Sequence, residues 1–151
     1  MAGWTNKGKA RALSLLFRNE GAPATFYLAL CAATTVPGPD TNTLGELTQI
    51  AVGNGYSDGG AAVARSAVGF DPTTEDDIND RALIQLADVV WTAAGGPIPA
   101  TGSGARYAVL IDDNVTIASR EVLAFWDLAA DRTVSDTQTL TIQDAELRLT
   151  E

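Results

Sequence analysis

Histidine is absent from the 151-residue chain, which contains a single cysteine. The first absence removes the most common general base of enzymes and the most common transition-metal ligand of proteins. One cysteine, Cys31, cannot form an internal disulfide or a thiolate zinc site. It lies in the apolar run of residues 26–33, so we expect a buried packing thiol. We therefore predict no catalytic residue, no metal site and no cofactor, and a protein that is not an enzyme.

Basic residues are also scarce. The chain has 10 Lys and Arg against 19 Asp and Glu, a formal net charge of -9. Nucleic-acid binding requires surface cations that neutralise phosphates, so we expect no nucleic-acid partner. The longest apolar run, residues 26–33, is far shorter than the roughly 20 residues of a membrane-spanning helix, so we expect no membrane partner. The first apolar stretch, residues 10–17, is interrupted by Arg11 and Ser14 and does not resemble a signal peptide.

The first 20 residues have the features of a short helix. Thr5 and Asn6 are both suitable N-cap residues, and residues 19–21 form a stop signal ahead of Pro23. Polar side chains at spacings of four, three and four share one helical face: Lys7, Arg11, Ser14 and Arg18. Large apolar side chains lie mostly on the other face: Leu13, Leu16 and Phe17. We therefore predict a basic N-terminal helical arm over residues 1–20.

Charge divides this arm from the rest of the chain. Residues 1–20 have a net charge of +3, whereas residues 21–151 hold 6 basic and 18 acidic side chains, a net charge of -12. The arm is interpreted either as an element that docks on an acidic neighbouring protein or as a helix that covers the open end of its own domain. Trp4 precedes the predicted helix in an expected flexible start and could anchor the arm in a neighbouring subunit. The candidate docking residues are Trp4, Lys7, Lys9, Arg11 and Arg18.

From residue 21 onward, short apolar segments alternate with turns rich in Gly, Pro, Asn and Asp, a pattern typical of an all-β protein. Strands are predicted over residues 26–32, 62–68, 82–93, 106–111 and 121–128, and residues 44–50 form either a short strand or a helical turn. Alternating residues on both sides of the pair Gln143 and Asp144 predict a C-terminal hairpin. We therefore predict a mainly β chain, a β-sandwich or jelly roll over residues 21–151 with a short N-terminal α-helix.

Three features invite a binding function, and each also has a structural explanation. The glycine-dense segment 53–60 lacks the Gly-Lys-Ser/Thr ending of a phosphate loop and is better explained as a turn. An acidic cluster could bind calcium or form a solvated loop: Glu75, Asp76, Asp77 and Asp80. Four aromatic residues could form a sugar-binding platform, although strand alternation favours their burial in the core: Trp91, Tyr107, Phe125 and Trp126.

Three stretches in a fixed order carry a resemblance to a known group of proteins. They are TFYLAL at residues 25–30, GYSDGGAAVAR at residues 55–65, and FWDL at residues 125–128 followed by RTV at residues 132–134 and the segment 140–149. This ordered set resembles small virion proteins of tailed bacteriophages, known as head decoration (cement) or tail-fibre-like proteins. The resemblance covers most of residues 20–151. It implies a compact β-sandwich present in many copies, often as a homotrimer, without catalytic residues.

The expected function is capsid decoration. Such a protein is synthesised in the cytoplasm of the bacterial host and located in the virion. It stabilises the head through contacts with itself and with the major capsid protein or another virion protein, since symmetry multiplies modest interfaces. A tail, baseplate or fibre-associated structural protein is the first alternative, and a carbohydrate-binding module is the second.

Overall fold

A computed structural model of the protein describes residues 2–150. Within that range the strands and the α-helix are β1 (Ala2–Trp4), α1 (Asn6–Phe17), β2 (Thr25–Cys31), β3 (Ala61–Ala64), β4 (Thr74–Asp76), β5 (Arg81–Gln85), β6 (Val89–Thr92), β7 (Ala105–Ile111), β8 (Val122–Arg132), β9 (Thr139–Ile142) and β10 (Glu146–Thr150). Two 3-10 turns, Leu44–Glu46 and Ile117–Ser119, complete the regular elements of these residues. The mainly β class with a short N-terminal helix is confirmed.

Three antiparallel sheets build a sandwich-like body. The largest has five strands in the order β1-β8-β7-β2-β3, and two smaller sheets have the orders β10-β5-β4 and β6-β9. Because successive side chains of a strand point to opposite faces, Leu28, Leu30 and Trp126 of the large sheet point into the main core. There they pack with buried residues of the smaller sheets, such as Trp91 and Leu147. The main core therefore lies between the large sheet and the two smaller sheets.

The other face of the large sheet is buried as well. Val109, Ile111 and Phe125 form a second core there, together with Leu44 from the first 3-10 turn. Strands buried on both faces have continuous apolar sequences, which explains the run at residues 26–33. Cys31 lies in this second core and is fully buried, so its predicted burial is confirmed.

The predicted C-terminal hairpin is wrong. Strand β9 pairs with β6, whereas β10 pairs with β5, so the two consecutive strands belong to different sheets. Alternation identified one buried face on β9, where Leu140 and Ile142 are buried, but alternation does not specify the partner strand. For the same reason the segment 82–93, predicted as one strand, is divided between β5 and β6. The intervening backbone N–H groups of Leu86 and Ala87 donate instead to Ala145 and Gly69.

The N-terminal segment also differs from the expectation for Trp4. This residue lies in β1 at the edge of the large sheet, paired with Ala124 of β8, and not in a flexible start. Its indole Nε1 donates a hydrogen bond of 2.9 Å to the carbonyl oxygen of Arg148. Thr5 follows as the N-cap of α1, and its side chain accepts the N–H of Gly8. Residues 2–17 therefore pack directly onto the β body.

Candidate functional site

Helix α1 is attached to the large sheet at a bulge in β8. Leu110 pairs with Ala124 and Ile111 pairs with Val122, so Leu123 is the extra residue of the bulge. The carbonyl oxygen of Leu123 accepts the backbone N–H of Thr5 at 3.0 Å. The Thr5 hydroxyl donates to the carbonyl oxygen of Val122. The bulge therefore supplies the acceptors that hold the first turn of the helix.

Gly8 allows the helix to approach this bulge closely. A β-carbon at position 8 would lie 2.0 Å from the carbonyl oxygen of Leu123, a distance that no side chain can adopt. The residues of α1 that face the body are therefore Gly8 and those one or two turns later, Ala12 and Leu15, which are half-buried. We call the side of α1 formed by Gly8, Ala12 and Leu15 the packed face, and the small residues at positions 8 and 12 allow it to lie close to the body.

The charged residues at the edge of this packed face already have partners within the chain. Lys7 Nζ and Arg11 Nε each lie 3.2 Å from a carboxylate oxygen of Glu121. Arg18 Nε lies 3.1 Å from a carboxylate oxygen of Glu20. The docking role of these cations stays a prediction, but three of the four make intramolecular ion pairs.

Lys9 is the exception among the predicted docking cations. Its side chain is exposed, and it takes part in none of the ion pairs formed among residues 2–150. Residues three and four apart in sequence are neighbours on a helix surface, so positions 9, 13 and 16 share a helical face. Lys9 therefore lies in line with Leu13 and Leu16 on the outward side of α1.

The large apolar side chains of α1 face solvent. Leu13, Leu16 and Phe17 are 59%, 74% and 75% exposed, and we call these three residues the apolar stripe. A surface helix ordinarily buries its apolar face against the core. Contiguous exposed apolar side chains on a folded protein mark a contact surface for a partner. The stripe is therefore the clearest candidate interaction surface of the described residues.

A groove of about 540 Å³ opens on the other side of the same helix. Its walls are the packed face of α1, the large sheet, the small sheet that contains β5 and β10, and the segment 65–73. The lining side chains are mostly apolar, with Arg11, Arg65 and Asp71 as the charged residues. The full lining is Trp4, Gly8, Arg11, Ala12, Leu15, Pro23, Phe26, Arg65, Ser66, Ala67, Phe70, Asp71, Pro72, Thr73, Ile84, Leu110, Leu123 and Leu147.

The other candidate sites have structural roles. In the glycine-dense turn, Gly55 has a φ of 106°, and a β-carbon at this position would lie 2.2 Å from the carbonyl oxygen of Thr92. The next residue, Tyr56, is buried, and its hydroxyl accepts the N–H of Leu30 at 2.9 Å. The turn therefore completes the hydrogen bonding of β2, in agreement with the predicted structural explanation.

The four aromatic residues considered as a sugar platform are all buried, so the predicted burial is confirmed and none of them forms an exposed platform. In the acidic cluster, the side chains of Asn79 and Arg81 donate to the carboxylate of Asp76 and hold its pKa below the ordinary aspartate value. Among residues 2–150, no three His, Cys, Asp or Glu side chains converge in a way that could hold a metal ion. Burial raises the pKa of the Cys31 thiol to about 12, so this sulfur stays protonated.

Sequence reasoning missed both the groove and the orientation of the stripe. The spacing of Leu13, Leu16 and Phe17 correctly placed them on one face, but it did not indicate that the opposite face of the helix is the buried one. The signal that could have revealed this is the pair Gly8 and Ala12, one turn apart, because small residues mark the side of a helix that approaches another backbone.

Comparison with known proteins gives no relative. No protein-family model matches the chain, and neither a curated protein nor a solved structure matches it. Within residues 2–150, no helix has the length and apolar character needed to cross a membrane.

Proposed function

We propose that this chain is a structural subunit of a bacteriophage particle, specifically a capsid decoration protein, that works by packing against copies of itself and against another virion protein. The observation that carries the proposal is the apolar stripe on α1. An isolated monomer gains nothing from turning Leu13, Leu16 and Phe17 to water while the small residues of the same helix face the core. A subunit that associates buries them.

The geometry of the helix makes the stripe a fixed surface. The bulge at Leu123, the close contact at Gly8 and the ion pair of Lys7 to Glu121 hold the first turn of α1, and the ion pair of Arg11 to Glu121 lies in the second turn. A preorganised surface loses little conformational entropy on association. Rigid presentation of apolar side chains is therefore what an assembly subunit requires.

The assignment to a phage particle is supported by the ordered motifs. In the structure these residues build the sandwich: Tyr56 bonds to β2, and Phe125 and Trp126 lie in the two cores. Arg65 lies at the groove. These motif residues therefore have structural roles, and the phage assignment itself is supported by the resemblance of the ordered motifs.

Quantitative mass spectrometry of purified particles tests this function. Particles are collected from the bacterial strain that carries the gene, and peptides of this chain are counted against those of the major capsid protein. A decoration protein is expected at a copy number close to that of the major capsid protein. Its absence from particles contradicts the phage assignment, and a small number of copies per particle contradicts decoration in favour of a tail component.

A further inference from the structure

Each copy of the chain has an apolar projection and an apolar recess that cannot meet within the copy. The projection is the apolar stripe of α1. The recess is the groove, which is lined by Gly8, Ala12 and Leu15 from the opposite face of the same helix. Because the two surfaces lie on opposite sides of one rigid helix, the stripe of one copy can enter only the groove of another copy. An association of this kind is head-to-tail and closes into a ring where the rotation permits.

The two surfaces match in chemical character. The stripe presents side chains at positions i, i+3 and i+4 of a helix, the spacing by which amphipathic helices anchor in apolar grooves. The groove offers Phe26, Phe70 and Leu147 among its lining. Its volume of about 540 Å³ lies within the range of roughly 300–1,000 Å³ that protein pockets use to bury most of a ligand. Several large side chains of a partner helix can therefore be accommodated.

Charge favours a second copy as the partner. Helix α1 carries three cations and no acidic residue, whereas residues 21–151 have a net charge of -12. Lys7 and Arg11 pair with Glu121. Lys9 is therefore the cation of α1 that lies on the same outward face as the apolar stripe. Asp71 lies on the groove wall, followed along the same segment by the acidic strand β4. Of the two cations in the groove lining, Arg11 is already paired with Glu121 and Arg65 is the other. Asp71 is therefore the lining residue that attracts the Lys9 of an arriving helix.

We infer that the groove of one copy binds the apolar stripe of α1 from a second copy, with Lys9 of the arriving helix beside Asp71 on the groove wall. This inference rests on the proposed function, because it names the contact through which the copies associate. It assigns the stripe and the groove to the two halves of one repeated interface.

Disulfide crosslinking between two different cysteine variants of the chain tests the arrangement. One full-length variant carries Leu16→Cys in the stripe, and the other carries Thr73→Cys in the groove wall. The native Cys31 stays in both, because it is fully buried. Under mild oxidation, we expect a disulfide-linked heterodimer when the two are mixed. The matched control replaces Thr73→Cys by Val115→Cys, which is 96% exposed and outside the groove, and is expected to crosslink far more slowly.

Other outcomes of this experiment distinguish a wrong assignment of the interface from a failure of the proposed function. Homodimers of Leu16→Cys without a mixed crosslink would show helix-to-helix contact, which overturns the groove assignment and leaves self-assembly intact. A chain that neither crosslinks nor sediments as an oligomer overturns the inference, whereas the proposed function is still decided separately by the copy number of the chain in purified particles. A monomer that retains a small amphipathic molecule in native mass spectrometry overturns the inference by giving the groove a different occupant.

A charge exchange tests the pairing of Lys9 with Asp71. Lys9→Glu and Asp71→Lys are each expected to weaken self-association about two- to fivefold, as for an exposed ion pair. The double variant restores the pair in reversed order and is expected to associate like the unmodified chain. Asp88→Lys, an equal charge change at an exposed residue outside the groove, is the control. A double variant that associates no better than either single variant overturns the pairing.

Discussion

Replacing Gly8 by alanine tests the attachment of the helix, on which the orientation of the stripe depends. The added β-carbon would lie 2.0 Å from the carbonyl oxygen of Leu123, whereas ordinary contact begins at 3.4 Å. Helix and strand must therefore separate by about 1.4 Å. Both atoms in conflict are held by backbone, so no rotamer change relieves the contact.

The expected loss of stability is the sum of two destabilising contributions and one stabilising contribution. Overpacking of a close contact costs about 1–3 kcal/mol, and weakening the Thr5 cap costs about 1 kcal/mol. Alanine favours the helical conformation over glycine by about 1 kcal/mol. The net destabilisation is about 2 kcal/mol, which corresponds to a fall in Tm of about 4–8 °C for a domain of this size.

Differential scanning calorimetry of Gly8→Ala against the unmodified chain measures this fall. Gly21→Ala is the matched control, because a β-carbon there meets nothing within 4 Å. The control is expected to be neutral or to gain up to about 1 kcal/mol through reduced entropy of the unfolded chain. If Gly8→Ala is as stable as the control, α1 does not pack against Leu123, and the outward orientation of the stripe is refuted.

Three further predictions follow from buried or paired groups. Tyr56→Phe leaves the N–H of Leu30 without its acceptor and is expected to destabilise the fold by about 1–3 kcal/mol in urea unfolding. Cys31, with its pKa raised to about 12 by burial, should resist thiol reagents in the native protein and react fully in denaturant; rapid native labelling would contradict its burial. The hydrogen bond from Arg106 lowers the pKa of Asp127, so its contribution to stability is present above about pH 4 and lost as the pH falls through the folded-state pKa. Asp127→Asn should therefore show a smaller loss of stability between neutral pH and about pH 3 than the unmodified chain, and an equal loss would argue against the ion pair.

The fold class could be predicted because it depends on local patterns. Alternation in residues 139–142 and the continuous apolar run at residues 26–33 each identify strands from a few neighbouring residues. The partner of a strand depends on distant residues, and for that reason β9 and β10 were wrongly paired with each other. The alternation of β10 is compatible with any antiparallel neighbour, and only the folded arrangement selects β5.

The orientation of α1 could not be predicted for a similar reason. A helical pattern shows which residues share a face, but not which face is buried. In this chain the packed face is set by the contact of Gly8 with Leu123 and by the pairing of Lys7 with Glu121, and both partners lie more than a hundred residues away in the sequence. The groove depends on the same long-range packing.

The central claim is that copies of this chain associate through the apolar stripe, and sedimentation equilibrium over the micromolar range tests it most directly. The unmodified chain is predicted to sediment as an oligomer of defined size. Leu16→Asp is predicted to sediment as a folded monomer, whereas Val115→Asp, at a similarly exposed apolar position, should match the unmodified chain. An unmodified chain that stays monomeric throughout this range, or a Leu16→Asp variant that associates as strongly as the unmodified chain, would contradict the account.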